Sequence, residues 1–326
     1  MKSTLATHYE NVFKDCTIVG CGCDPGYLHP DMESILTSIV PEQLRSAPGS
    51  CSPLPPDLEG CVVLELGCGS GRNVFAAAQL VGPEGRVIGV DMRDDLLKGA
   101  KTHVRKQMKK LGFDKTVVDF IRGYPEDLLS LGVADNSVDV VVTNEIINLA
   151  WDKRAVFSEI FRVLKPGGEL CFTTVLADRR LPECLSDDVE LQRAGLAGAL
   201  YAEDFRRLLR DIGCHDYRHI KKQPVWFCEQ MMLDRVGLAC VTYRTIRTFK
   251  LPLEDICEDY GQVAVYKGTM PGFPKSFPLD DHHEFITGKP MLVCGNTGAM
   301  VAESRFGKHF TLTGDMSVHY GPFDCS

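Results

Sequence analysis

From residue 61 to residue 177, short apolar, β-rich runs alternate with amphipathic segments of helical period. That alternation constrains the fold more than any other feature of the chain. CVVLELG (61–67), RVIGVD (86–91), TVVDFIRG (116–123), SVDVVVTNE (137–145) and ELCFTTVLA (169–177) read as strands. RNVFAAAQLVG (72–82) and MRDDLLKGAKTHVRKQMKKLG (92–112) read as helices closed by Gly82 and Gly112. DKRAVFSEIFRVLKPGG (152–168) reads as a helix stopped by Pro-Gly-Gly. Such a succession predicts parallel βαβ units, and so an α/β, Rossmann-like, doubly wound sheet.

Further helices are expected over 30–45 and 201–213. Residues 217–224, 240–251 and 261–268 are expected as closing strands, the last ones antiparallel. The Pro/Gly/Ser-rich stretch APGSCSPLPPDLEG (47–60) marks a loop before the regular region. Three parts are expected: an N-terminal cap at 1–59, a central domain at 60–235, and a region at 236–326 that completes the substrate side and ends in a small appended domain.

Composition narrows the class. Lys+Arg is 36 against Asp+Glu 44, a net charge of −8, so the chain lacks the basic footprint of a nucleic-acid or membrane-surface binder. The run Lys98, Lys101, Arg105, Lys106, Lys109, Lys110 is expected to be a solvated helix face. No window approaches the roughly 18 apolar residues of a membrane span. The opening MKSTLATHYENVFKDC has no secretory h-region, and a cytosolic location is expected. The 14 cysteines do not follow the spacing of a disulfide framework; several are expected as small core hydrophobes, and the lone pair Cys21 and Cys23 is a weak metal signal.

The sharpest motif is ELGCGSG, residues 65–71, set between the first strand and its helix. Gly67, Gly69 and Gly71 allow a tight turn and a close approach of ligand to backbone. Asp91 ends the second strand about 20 residues later, where a carboxylate can accept the two ribose hydroxyls of an adenosine. A dinucleotide site wants G-x-G-x-x-G; here the last glycine comes one residue early. Glu65 would repel a pyrophosphate and suits an ammonium.

These features resemble the class I S-adenosylmethionine-dependent methyltransferases. That resemblance implies S-adenosylmethionine as methyl donor. It places adenine contacts in GYPEDL (123–128), with Tyr124, Pro125 and Glu126, and on Met92 beside Asp91. RVLKPGGEL (162–170) matches the same signature.

A narrower resemblance covers nearly the whole chain. LEGCVVLELGCGSGRNVFAAAQLVGPEGRVIGVDM, TNEIINL (143–149), ADRRLPE (177–183), GALYAEDF (198–205), VCGNT (293–297) and RFGKHF (305–310) resemble the arsenite methyltransferases. HYENVFK resembles that family's N-terminal helix, which implies that Tyr9 caps the cofactor. LDDHHEF (279–285) is expected to pack a domain, not to hold a metal.

The family's chemistry rests on cysteines, because trivalent arsenic is thiophilic. Its motif S-N-C-V-I-N-L reads Thr143-Asn144-Glu145-Ile146-Ile147-Asn148-Leu149 here, with Glu145 in place of the sulfur. Its second cysteine is replaced by Gly195, and its third corresponds to Cys51, shifted by one residue. The expectation is therefore a retained cofactor site with a changed acceptor: a small molecule carrying an N, S or O nucleophile, which Glu145 orients or deprotonates and Asn144 positions.

The competing role for Glu145 is an ion pair with Arg179 or Arg180. Trp151 and Tyr201 are expected to pack, the alternative being a cation–π wall for the acceptor. The competing functions are arsenite methylation through Cys51 and other thiols, and a binding protein without turnover. A monomer is expected.

Overall fold

The computed structural model describes residues 5–7, 28–38, 53–185, 188, 191–192, 196–225 and 236–325. Its centre is a sheet built from β1 (Val62–Leu66), β2 (Arg86–Asp91), β3 (Val118–Arg122), β4 (Val138–Asn144), β5 (Leu164–Ala177), β6 (Leu200–Tyr201), β7 (Arg218–Pro224) and β8 (Val241–Phe249). The strand order is β3-β2-β1-β4-β5-β8-β7, with β6 beside the end of β5. The strands from β3 to β5 are parallel, whereas β8 runs antiparallel to β5 and β7 antiparallel to β8.

The period-2 alternation of each strand sorts its side chains to two faces. Val63, Val87, Val118 and Val140 lie in one core with α1 (Met32–Ser38), α2 (Arg72–Val81) and α3 (Asp94–Leu111). Their neighbours Leu64, Ile88 and Val141 lie in the other, with α4 (Ile146–Leu149), α5 (Lys153–Val163) and α6 (Ala202–Asp211). Burial on both faces explains why these strands read as continuous apolar runs. Asp152 caps α5, its carboxylate accepting the Ala155 N–H at 2.9 Å.

The helix expected to end at Pro-Gly-Gly stops a little earlier, at Val163, and β5 begins at Leu164, so that Pro-Gly-Gly lies within the strand. Pro166 supplies the reason: a proline pushes the residue before it, Lys165, out of the helical region, and Leu164 is already extended at φ −62°, ψ 136°.

GQVAVYKG, expected to close the main sheet, instead forms the centre of another. After β9 (Glu258–Asp259) comes β10 (Gln262–Tyr266), followed by β11 (Ser276–Pro278), β12 (Glu284–Ile286), β13 (Pro290–Val293), α7 (Gly295–Ala302), β14 (Phe310–Thr313) and β15 (Gly321–Pro322). β10 lies between β13 and β14, while β11–β12 and β9–β15 are separate antiparallel pairs. Tyr266, Phe277, Phe285, Phe306 and Phe310 form an aromatic core beneath them.

A buried ion cluster joins the two parts. Glu169 on β5 is fully buried and meets Arg247 of β8 at 2.9 Å and Arg305 at 2.5 Å. Arg305 also donates to the Pro56 carbonyl at 2.9 Å. Among the described residues, no helix is long and apolar enough to cross a membrane.

Candidate active site

The turn after β1 is fixed by what surrounds its glycines. Gly67 has φ +73°, and a Cβ there would fall 2.2 Å from Ile146 Cγ1, so the turn is packed directly against the segment that follows β4. Gly71 has φ +84°, and a Cβ there would meet Phe120 Cζ at 2.6 Å. Gly69 donates its N–H to Asp91 Oδ2 at 2.8 Å, and Arg93 N–H donates to Oδ1 at 2.8 Å. Asp91 therefore ties the turn to the end of β2 through both carboxylate oxygens. Each oxygen has a further lone pair to offer a hydroxyl. Burial holds this carboxyl above the usual carboxylate range, with the two amide bonds opposing.

Glu65 lies on β1, just inside the turn, and is 5% exposed. Asn73 Nδ2 donates to its Oε1 at 3.0 Å. Oε2 is buried with no hydrogen-bond partner among the described residues. Burial pushes the carboxyl up to about 8. A buried carboxyl with an unsatisfied oxygen fits a cation with N–H donors, and the ammonium of a methionine moiety is such a group.

At the outer end of β2 and β3, Met92 and Tyr124 line one cavity of about 200 Å³ with Arg122, Asp127 and Leu131. It is an apolar slot with polar edges, suited to one planar ring. Pro125 and Glu126 are buried beside it. Glu126 faces the turn before α5, where its Oε1 accepts the Trp151 N–H at 3.2 Å. Nearby, burial lowers the Lys153 ammonium to about 8, although Glu126 pulls the other way.

Asn144 and Glu145 stand where β4 ends. The Asn144 side-chain oxygen accepts from Tyr243 Oη at 3.1 Å and from the Thr173 hydroxyl. Glu145 has φ +61°, a left-handed conformation uncommon outside glycine, and clamping by its neighbours sustains it. Its N–H donates to the Thr173 carbonyl at 3.2 Å and to Thr173 Oγ1 at 3.1 Å. Burial raises its carboxyl above the usual carboxylate range, and a hydrogen bond from Tyr243 opposes the rise. Arg179 pairs with Asp178 at 2.9 Å and Arg180 with Asp204 at 2.6 Å, so the expected alternative partners of Glu145 are engaged elsewhere.

β1, β2 and β4 thus bring together Glu65, Gly67, Gly69, Gly71, Asp91, Met92, Asn144 and Glu145, with Tyr124 to Glu126 alongside. Tyr9, Cys51 and Gly195 lie outside the described residues. Trp151, expected to pack, is instead 58% exposed and borders an open cleft with Leu200 and Asp204. Tyr201 is half-buried at the start of α6. Three contributors were missed in the sequence: Asn73, Thr173 and Tyr243. Asn73 carried a signal, being a polar residue just after the glycine turn. Tyr243 carried none, because its strand reaches the site only through antiparallel pairing with β5.

Comparisons with known proteins agree with this geometry. A methyltransferase-domain family profile matches residues 57–213, and that of the arsenite methyltransferase C-terminal domain matches residues 260–322. The arsenite methyltransferase of Aquipseudomonas alcaligenes is 42% identical over 99% of this chain and 94% of its own length. That of Mus musculus is 33% identical over 89% of this chain and 75% of its own. Among solved structures, an arsenic(III) S-adenosylmethionine methyltransferase from Chlamydomonas reinhardtii superposes with a TM-score of 0.87 at 46% identity, covering 91% of this chain and 99% of that one. The glycine turn, the buried acid behind it and the two-part architecture are those of a methyl-transferring enzyme whose donor is S-adenosylmethionine, and the chain belongs to the arsenite methyltransferase family.

Proposed function

We propose that this enzyme methylates a small molecule through an N, S or O nucleophile, and that Glu145 serves the acceptor where the family's motif has a cysteine. The observation that carries the reading is the placement of Glu145: a half-buried carboxyl at the end of β4, raised by burial, with Tyr243 beside it, in a left-handed turn next to the segment packed on Gly67. A hard oxygen in that position is a poor ligand for a soft metalloid and a good acceptor for an N–H, O–H or S–H proton.

S-adenosylmethionine supplies an electrophilic methyl group on a sulfonium sulfur. Glu65 would hold the ammonium of the methionine moiety, Asp91 the ribose, and the Met92–Tyr124 slot the adenine. Glu145 would accept the proton of the acceptor, freeing a lone pair for the methyl carbon, whose bond to the sulfonium sulfur would break as S-adenosylhomocysteine leaves. Asn144, held by Thr173 and Tyr243, would position the acceptor for in-line attack, which lowers the barrier through proximity.

The reading divides the chain into a cofactor cover over 1–59, with Tyr9 on the cofactor, a transferring domain over 60–235 and an acceptor-side region over 236–326. It makes the enzyme a cytoplasmic monomer that engages neither nucleic acid nor membrane. The described cysteines are all free thiols, as a reducing compartment requires.

A second reading is favoured by the names of the relatives: arsenite as acceptor, bound through Cys51 and other thiols. The test is Glu145→Gln, assayed for S-adenosylhomocysteine release against a metabolite extract. General-base loss lowers turnover by about 10²- to 10⁴-fold with cofactor affinity intact. Unchanged turnover of the acceptor sinks the base role, and methylarsenic as the product establishes the second reading.

A further inference from the structure

Three cysteines that are distant in sequence converge on the C-terminal sheet. Cys257 immediately precedes β9, Cys294 caps α7, and Cys325 lies just past β15. Their sulfurs all lie within 4.8 Å of one another. The antiparallel pair β9–β15 brings the first and third together, and the Phe323 N–H donates to the Cys257 carbonyl at 2.8 Å. Cys294 is fully buried, whereas Cys257 and Cys325 are partly open to solvent, so the cluster has a floor and an entrance.

Arg218 faces two of the sulfurs. Its Nη2 lies 4.0 Å from Cys257 Sγ and 3.8 Å from Cys294 Sγ. A guanidinium there stabilises negative charge on sulfur, and Asp216 at 2.7 Å holds it in place. Arg218 opens β7, the edge strand, three strands from β4, or roughly 14 Å at about 4.8 Å per strand. The cluster is therefore separate from the methyl-transfer site.

We propose that Cys257, Cys294 and Cys325 form a three-sulfur site for a trivalent, thiophilic metalloid, of the arsenic(III) or antimony(III) class. Soft ligands select a soft centre. Among the described residues no imidazole or carboxylate shares the cluster, whereas a structural zinc closes its tetrahedron with four ligands. A trivalent metalloid makes three bonds and keeps a lone pair, which matches a three-sulfur set. Binding is a balanced exchange without redox change: three S–H groups replace three hydroxyls on the metalloid, three metalloid–sulfur bonds form and three waters leave.

The test uses the full chain, reduced and metal-free, titrated with arsenite. Bound arsenic is counted after desalting, and its sulfur coordination is read by X-ray absorption. Expected are arsenic held by three sulfurs and one equivalent fewer in Cys325→Ser, with affinity at this site lowered about tenfold or more. Cys184→Ser, at an exposed cysteine outside the cluster, should bind as the parent does. Cys325 lies near the chain end, and an unchanged melting temperature confirms that its variant folds. Equal arsenic in parent and Cys325→Ser overturns the proposal, and so does zinc that, added before the arsenite in a parallel titration, binds one equivalent and is not displaced. The readout is bound metalloid, so it does not depend on which acceptor is methylated.

Discussion

If Glu65 holds the cofactor's ammonium as proposed, its carboxyl, pushed up to about 8 by burial, should make cofactor binding a proton-releasing reaction. At pH 7 a group with that pKa is ionised in only about one molecule in ten. An ammonium pairs with the carboxylate and not with the acid, so each binding event near neutrality must expel close to one proton. Affinity for S-adenosylmethionine should therefore rise about tenfold, or about 1.4 kcal/mol, per pH unit from pH 6 until the cofactor's own amine begins to lose its proton near about 7.7 to 8. Isothermal calorimetry in buffers of differing ionisation enthalpy reads the released proton directly. Glu65→Gln removes both the proton release and the pH dependence, and it weakens binding most at pH 8.

The same shift predicts a stability effect without cofactor. A pKa raised on folding gives stability that is complete below the unfolded value and lost as pH rises through about 8. The Gln variant should then melt no lower than the parent at pH 8.5, even though it binds cofactor worse. A binding enthalpy independent of buffer at pH 7, or a Gln variant destabilised at every pH, would rule out a protonated Glu65 that ionises on binding.

The acid limb of the kcat/KM profile should report Glu145. It lies above the ordinary carboxylate range because burial raises that group. Tyr243→Phe, by removing the opposing hydrogen bond, should move the limb further up in pH, as stopped-time assays across pH would show. Gly67→Ala sets a Cβ against Ile146 Cγ1 at 2.2 Å on a backbone at φ +73°. It should cost about 1–3 kcal/mol and lower cofactor affinity, with chemical denaturation and calorimetry as readouts. Glu169→Ala leaves Arg247 and Arg305 without their buried counter-charge, and a loss of about 3–5 kcal/mol should appear as a large drop in melting temperature.

What could be read from the sequence follows from how far apart the cooperating residues lie. Strands β1 to β5 and helices α2, α3 and α5 announce themselves because each is a local pattern bounded by its own glycine, proline or cap. Glu65, Gly67 and Asp91 sit at set distances from those patterns, so the glycine turn and the two acids around it were legible too. The destination of GQVAVYKG was not: an alternating run shows that a strand exists, but not which sheet it joins. Tyr243, the Glu169–Arg247–Arg305 cluster and the three converging cysteines depend on antiparallel pairings across long separations, which no local period encodes. Asp91 was legible as the acid that ends β2, while its task of tying the Gly69 turn to β2 became visible only as two hydrogen bonds.

Whether a carboxyl has taken over the acceptor position in a retained donor site is decided by a turnover assay. Purified protein, S-adenosylmethionine, a thiol reductant and arsenite are incubated, and methylated arsenic is read by mass. Parallel reactions contain pools of small amines, imidazoles and thiols. Expected are confirmed cofactor binding, no methylarsenic above background even with arsenite bound at the C-terminal thiols, and S-adenosylhomocysteine release with an N, S or O nucleophile that depends on Glu145. Robust methylarsenic formation that survives Glu145→Gln would contradict it.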